Sequence, residues 1–172
     1  YRVTVKGDMI IVGNTVLGTT KTGNFDDQTT QNGDVPQVFV DIDNDSSTFN
    51  SSSARVNDPN PTSPCPRKVK KAYLYWAGES DNKDASKVKF KVDTGAYQEI
   101  TGTPIWNSSQ FVFVADVTNK LTNVAGNYTV ANIPVPTGIS TGYAGGWTLF
   151  IIYEDASKPA RNISLFDGFT AV

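Results

Sequence analysis

Apolar residues in this chain come in short runs of alternating polarity, and helical spacing is nearly absent. β-Branched and aromatic residues fill the runs, while Gly, Asn, Asp, Pro and Thr bound them. "RVTV" and "MIIV" open the chain as two strands broken at Lys6-Gly7-Asp8. "GTTKTGNFDDQTTQNGD" then reads as a long loop. "QVFVDI" is a strand feeding a cluster of aspartates, and the stretch from Ser46 to Pro66 is too rich in Ser, Asn, Pro and Thr to pack by itself. "VKKAYLYWAG" places Ala72, Leu74 and Trp76 on one face and Tyr73, Tyr75 and Ala77 on the other, which predicts a strand covered on both sides or with one aromatic face partly exposed. "KVKFKV" turns Val88, Phe90 and Val92 inward, and Asp93-Thr94-Gly95-Ala96 predicts a hairpin turn into "YQEIT". "QFVFVADV", "NYTVANIPV", "WTLFIIYED" and "NISLF" complete the set, with a single helical or irregular turn at "VTNKL" and a glycine-rich corner at "STGYAGG". About nine short strands with long early loops predict one all-β domain over 1–172, an antiparallel β-sandwich of jelly-roll-like form.

Composition narrows the functional classes. At 172 residues the chain suits one substantial domain, and 38% hydrophobic with 19% charged residues permits a packed core. A net charge of -2 gives no basic field for nucleic acid or acidic lipid. The absence of histidine removes the usual neutral-pH base and any Ser-His-Asp or Cys-His arrangement. Cys65 is the only cysteine, so it is either a free thiol or paired with a partner beyond Val172. No run approaches the ~20 apolar residues of a membrane-spanning helix. No signal peptide is visible at the start, so a secreted form has already lost it.

Seven segments, in order, carry a resemblance: "KGDMIIVGNTVLG", "VFVDIDNDSSTFNSSSA", "KKAYLYWAG", "VFVADVT", "YTVANI", "GGWTLFIIYED" and "FDGFTAV". Together they resemble an N-terminal module of large secreted surface proteins of Bacteroidetes, of the type IX secretion or gliding-motility-associated type. The resemblance spans almost all of the chain, and none of its blocks is a catalytic signature. It implies a secreted or cell-surface, outer-membrane-associated setting, an adhesin-like or structural role, and no enzymatic activity. It also implies that the chain is a piece of a longer multidomain product, with further strands after "FDGF".

Asp41, Asp43 and Asp45 have the spacing of the first ligands of an EF-hand calcium loop. The rest of that pattern fails, with Ser46 at the turn glycine and Ser52 at the bidentate glutamate. A different calcium cage would recruit Asp34, Asn44 or Asn50, with Asp26 and Asp27 as further acids; the alternative is a solvated turn whose aspartates cap backbone amides. Glu79 and Asp81 follow the aromatic strand, and Glu154 with Asp155 end the strand after Trp147. Such acids suit either a carboxylate-based glycoside hydrolase or solubilising strand-end charges.

Trp76, Trp106, Trp147, Tyr73, Tyr75, Tyr143 and Tyr153 suit a carbohydrate platform or ordinary packing. Trp106 sits in "TPIWNSSQ", a polar turn-like stretch, and with Tyr75 and Trp76 it is a candidate contact residue. "RKVKK" reads as a solvated strand edge, "GYAGG" lacks the context of a phosphate loop, and the Asn-x-Ser/Thr matches are what a polar chain gives by chance.

The first reading is a non-enzymatic extracellular module, structural or adhesive, binding surface glycans or other surface proteins through loops or an exposed sheet face. The alternatives are a carbohydrate-binding module and a filament subunit that self-assembles by accepting a strand from a neighbouring copy.

Overall fold

A computed structural model describes residues 1–19, 35–80, 83–139 and 143–168. Its strands are β1 (Arg2–Thr15), β2 (Leu17–Gly18), β3 (Val38–Phe39), β4 (Ser51–Val56), β5 (Lys68–Glu79), β6 (Lys87–Val92), β7 (Gln98–Thr101), β8 (Thr103–Asn107), β9 (Gln110–Asp116), β10 (Gly126–Ala131), β11 (Gly145–Glu154) and β12 (Ala160–Ser164). A 3-10 turn covers Thr118–Lys120, inside the "VTNKL" segment. A six-stranded sheet has the order β12-β1-β11-β5-β9-β8, a four-stranded sheet the order β4-β10-β6-β7, and β2 pairs with β3 in a small ribbon. The strand pairings are antiparallel. The architecture is the expected all-β sandwich.

The inner faces follow from alternation. Leu74, Trp76, Phe111, Phe113, Trp147, Leu149 and Ile151 of the larger sheet meet Val88, Phe90, Ile100, Tyr128 and Val130 of the smaller one in a single core. Trp76 stacks on Phe113 with ring centroids 5.8 Å apart, and Phe90 stacks on Tyr128 at 6.2 Å. Two polar ties cross between the sheets: the Trp147 indole N–H donates to Ser52 Oγ at 2.8 Å, and Asn14 Nδ2 donates to the Ser53 carbonyl at 2.8 Å. Burial would make the Trp147 donor costly if it were unpaired, so a serine at that inner position is a requirement of the core.

Four elements depart from the sequence expectation, the first being "QVFVDI", of which only Val38–Phe39 forms a strand, the short β3. "RVTV" and "MIIV" are one strand, because Gly7 adopts φ 157° and continues the ladder opposite Glu154. A side chain there would meet the Tyr153 carbonyl, its Cβ only 1.8 Å from the oxygen, which only glycine avoids. The serine-rich stretch contains β4, whose Ser51 and Ser52 are fully buried against β10. "TPIWN" is strand β8, not a turn, and Gly102 separates it from β7. The Asp93–Gly95 turn forms as expected, with the Gly95 N–H donating to the Val92 carbonyl at 3.0 Å between β6 and β7. Among the described residues, no helix is long and apolar enough to cross a membrane.

Candidate functional site

The outward face of the six-stranded sheet is defined by residues that alternate with the core set. Register aligns Ile11, Phe150 and Tyr73 in one row across β1, β11 and β5. The next row holds Gly13, Thr148 and Tyr75, and a third holds Thr15, Gly146 and Ala77. On β9 the rows continue through Val114 and Val112, and Trp106 on edge strand β8 pairs with Val112. Tyr73, Tyr75, Phe150 and Trp106 are half-buried, and Ile11 is 52% exposed. The face is thus rich in rings and only partly wetted, as two-sided alternation in "KKAYLYWAG" predicts.

Tyr75 sits at the centre. Its ring is edge-on to Phe150 with centroids 5.2 Å apart, and its hydroxyl donates to the Asp167 carboxylate. Burial first, and then that carboxylate, push the phenol above its ordinary pKa, so it stays protonated. Tyr1 packs edge-on against Tyr73 at 5.9 Å, beside the Lys71 ammonium, which pairs with Asp116 at 2.5 Å.

A groove of about 610 Å³ opens beside Tyr75, lined by Gly13, Thr15, Gly146, Thr148 and Tyr143 among others. That volume falls within the ~300–1,000 Å³ range of small-ligand sites. Its floor is backbone: a Cβ on Gly13 would lie 2.3 Å from the Trp147 carbonyl oxygen, and one on Gly146 would lie 2.7 Å from that of Asn14. Among the described residues no carboxylate, lysine or arginine lines it.

The outward face of the four-stranded sheet differs. Residues 41–50 fold back over it. Lys89 Nζ donates to the Ser47 carbonyl at 2.8 Å, Asn132 Nδ2 donates to the same oxygen at 3.2 Å, and Lys91 pairs with Asp43 at 2.9 Å. Under this cover Ser51, Thr129 and Ala131 are buried although they belong to the outer set of the sheet.

The three aspartates read as a cation cage lie in this cover: Asp41 and Asp43 share the Ser51 hydroxyl, while Asp45 stays within its own turn. Asp41 is buried and accepts from Ser51 Oγ at 3.2 Å. Asp43 accepts from Ser51 Oγ at 3.0 Å, from Lys91 Nζ and from the Tyr97 hydroxyl at 2.5 Å. Burial pushes the Asp43 carboxyl up, but the bonds from Tyr97, Lys91 and Ser51 outweigh it and bring the pKa down to about 2. Asp45 caps its own turn, accepting from the Ser47 N–H at 2.8 Å and the Ser47 hydroxyl at 2.7 Å, and these bonds lower its pKa. Among the described residues, no group of three or more acidic or Cys side chains converges on a common point. Asp26, Asp27, Asp34 and Asp81 lie outside the described residues.

The other sequence candidates separate by geometry. Tyr75 and Trp106 share the outward face, whereas Trp76 is 1% exposed and bonds through its indole N–H to the Ala85 carbonyl at 2.7 Å, so it serves the core. Trp147 and Tyr153 are likewise buried. Glu79 and Glu154 stand at opposite ends of the β5–β11 pair, since Glu154 is opposite Lys68. At ~3.3 Å per residue they are about 35 Å apart, well beyond the ~5–9.5 Å needed to share a glycosidic bond. Asp155 is buried and held by Ser157 and Asn60, and Glu154 pairs with Lys70 at 3.0 Å. Cys65 is a half-buried free thiol whose carbonyl accepts from Arg67. The roles of Phe150, Thr148 and Gly13 in the face, and of Lys91 and Tyr97 in the cover, were not read from sequence. Counting every second residue along "WTLFIIY" finds Thr148 and Phe150, whereas Gly13 follows only from the β1–β11 register and the second group needs the loop's fold.

Comparison with protein-family models, with curated proteins and with solved structures finds no match for the chain.

Proposed function

We propose that this chain is a non-enzymatic structural and adhesive module of an extracellular surface, binding through the outward face of its six-stranded sheet. The observation that carries the reading is the contrast between the two faces. One is closed by residues 41–50 and pinned by Lys89, Lys91 and Asn132. The other presents Tyr73, Tyr75, Phe150 and Trp106 beside a groove. Rings held on rigid strands lose little side-chain freedom on binding, so they are efficient contact residues. The secreted setting rests on the resemblance of the seven segments to surface proteins.

Beads coated with the chain, settled on mucin, cellulose and collagen surfaces, test this. Wild-type beads are expected to be retained on at least one surface, and the Tyr75→Ala/Trp106→Ala double variant to lose about tenfold of that retention. Arg55→Ala, exposed on the smaller sheet, is expected to change nothing. Retention indifferent to the double variant would refute the reading.

A further inference from the structure

We infer that the groove beside Tyr75 takes a neutral, unbranched oligosaccharide, with one sugar ring laid against Tyr75 over the floor made by Gly13 and Gly146. This rests on the outward face being the binding surface and adds the class of ligand.

Charge speaks first. No carboxylate, lysine or arginine lines the groove among the described residues, and the Asp167 carboxylate next to it is engaged by the Tyr75 hydroxyl, so an ionised ligand would leave water with little to compensate it. The ligand is therefore uncharged. It is also not wholly apolar, because Thr148 stands in the same row as Tyr75 and Tyr143 lines the groove, while the Thr15 hydroxyl beside them is taken by the Leu17 and Gly145 carbonyls. An aromatic ring flanked by hydroxyls matches a pyranose, which has an apolar C–H face and a rim of hydroxyl groups.

Shape speaks second. At Gly13 and Gly146 a side chain would run into neighbouring carbonyls, so the floor stays at backbone level and a flat ring can approach it closely. Tyr143 lines the groove as a second aromatic ring. The volume of about 610 Å³ accommodates more than one ring, which favours a chain over a monosaccharide. An extended peptide is a poorer match. It would need an unpaired strand edge to satisfy its backbone, and the groove lies over rows already paired between β1, β11 and β5.

Titration calorimetry on the whole chain decides the matter. The probes are neutral hexasaccharides (cello-, xylo-, laminari-, manno- and malto-) and, as acidic controls, hexagalacturonate and a hyaluronan hexamer. At least one neutral chain is expected to bind saturably while the acidic ones do not. Tyr75→Ala should weaken that binding by about tenfold or more, and Tyr75→Phe, which keeps the ring, should stay within about twofold. Thr148→Arg, from a half-exposed position, should abolish it with the circular dichroism of the fold unchanged. Binding of acidic chains alone, or neutral binding untouched by Tyr75→Ala and Thr148→Arg, overturns the inference. A blank panel overturns it too. If the Tyr75→Ala/Trp106→Ala beads still lose retention in that case, only the ligand class has failed; if they do not, the face reading falls with it.

Discussion

Asp43 shows how a single carboxylate can be settled by its neighbours. Two bonds from Lys91 and Tyr97 supply the positive charge and donors that a cation would otherwise bring to "DIDND". Its pKa falls from 3.8 to about 2, so its stabilisation is fully present above pH ~4 and is lost as pH drops towards 2. The shift corresponds to about 2 kcal/mol at neutral pH. Urea melts should therefore find Asp43→Asn destabilised by about 2 kcal/mol at pH 7, with the gap to wild type narrowing below pH ~4. A gap that is constant from pH 7 to pH 3 would contradict the assignment. Calcium at millimolar concentration is expected to leave the melting midpoint unchanged, because among the described residues no three acidic groups converge and Asp43 is already held by Lys91 and Tyr97. A rise of several degrees would place a cation among Asp41, Asp43 and Asp45. The sequence shows the acids but not Lys91 and Tyr97, which are about fifty positions away and reach Asp43 only through the fold.

Strands were legible where large apolar residues alternate, and obscure where small polar ones do the same work. "VKKAYLYWAG", "KVKFKV" and "WTLFIIYED" declare β5, β6 and β11 because Leu74, Phe90 and Leu149 are unmistakable inward residues. β4 hides, because Ser52 and Ala54 occupy its inward positions and serine is not a strand former. What selects Ser52 is the Trp147 indole N–H on the opposite sheet. Ser52→Ala should leave that donor buried and unpaired, lowering stability by about 1–3 kcal/mol, whereas Ser53→Ala, whose contact uses only the backbone carbonyl, should cost well under that. Denaturant midpoints would check this, and equal losses for both would contradict it. β8 was missed for a related reason: Gly102 ends β7 and reads as a loop signal. It is glycine because a Cβ there would lie 2.4 Å from the Trp76 ring. Gly102→Ala is expected to cost about 1–3 kcal/mol through overpacking against that ring.

At the scale of the molecule, the sandwich has two unequal outer surfaces. The four-stranded sheet spends its outer face on residues 41–50, and the six-stranded sheet leaves rings in rows from β11 across to β8. The periodicity of the sequence foretold the layers and the doubly apolar character of β5. It did not foretell which layer would be covered, because a loop of Asp, Ser and Asn carries no apolar signal of where it docks. Trp106 joins the open face only because β8 forms, and Trp76 leaves the set of surface contacts because it lies one position out of phase with Tyr75. Hydroxyl-radical footprinting of the chain on a surface that retains it reads both faces in one experiment. Protection of Tyr75, Trp106, Tyr73 and Phe150, with Phe49 on the opposite cover remaining as reactive as in the free chain, is the predicted result. Protection of Phe49 and Tyr97, with Tyr75 and Trp106 unchanged, would contradict the assignment of the binding face.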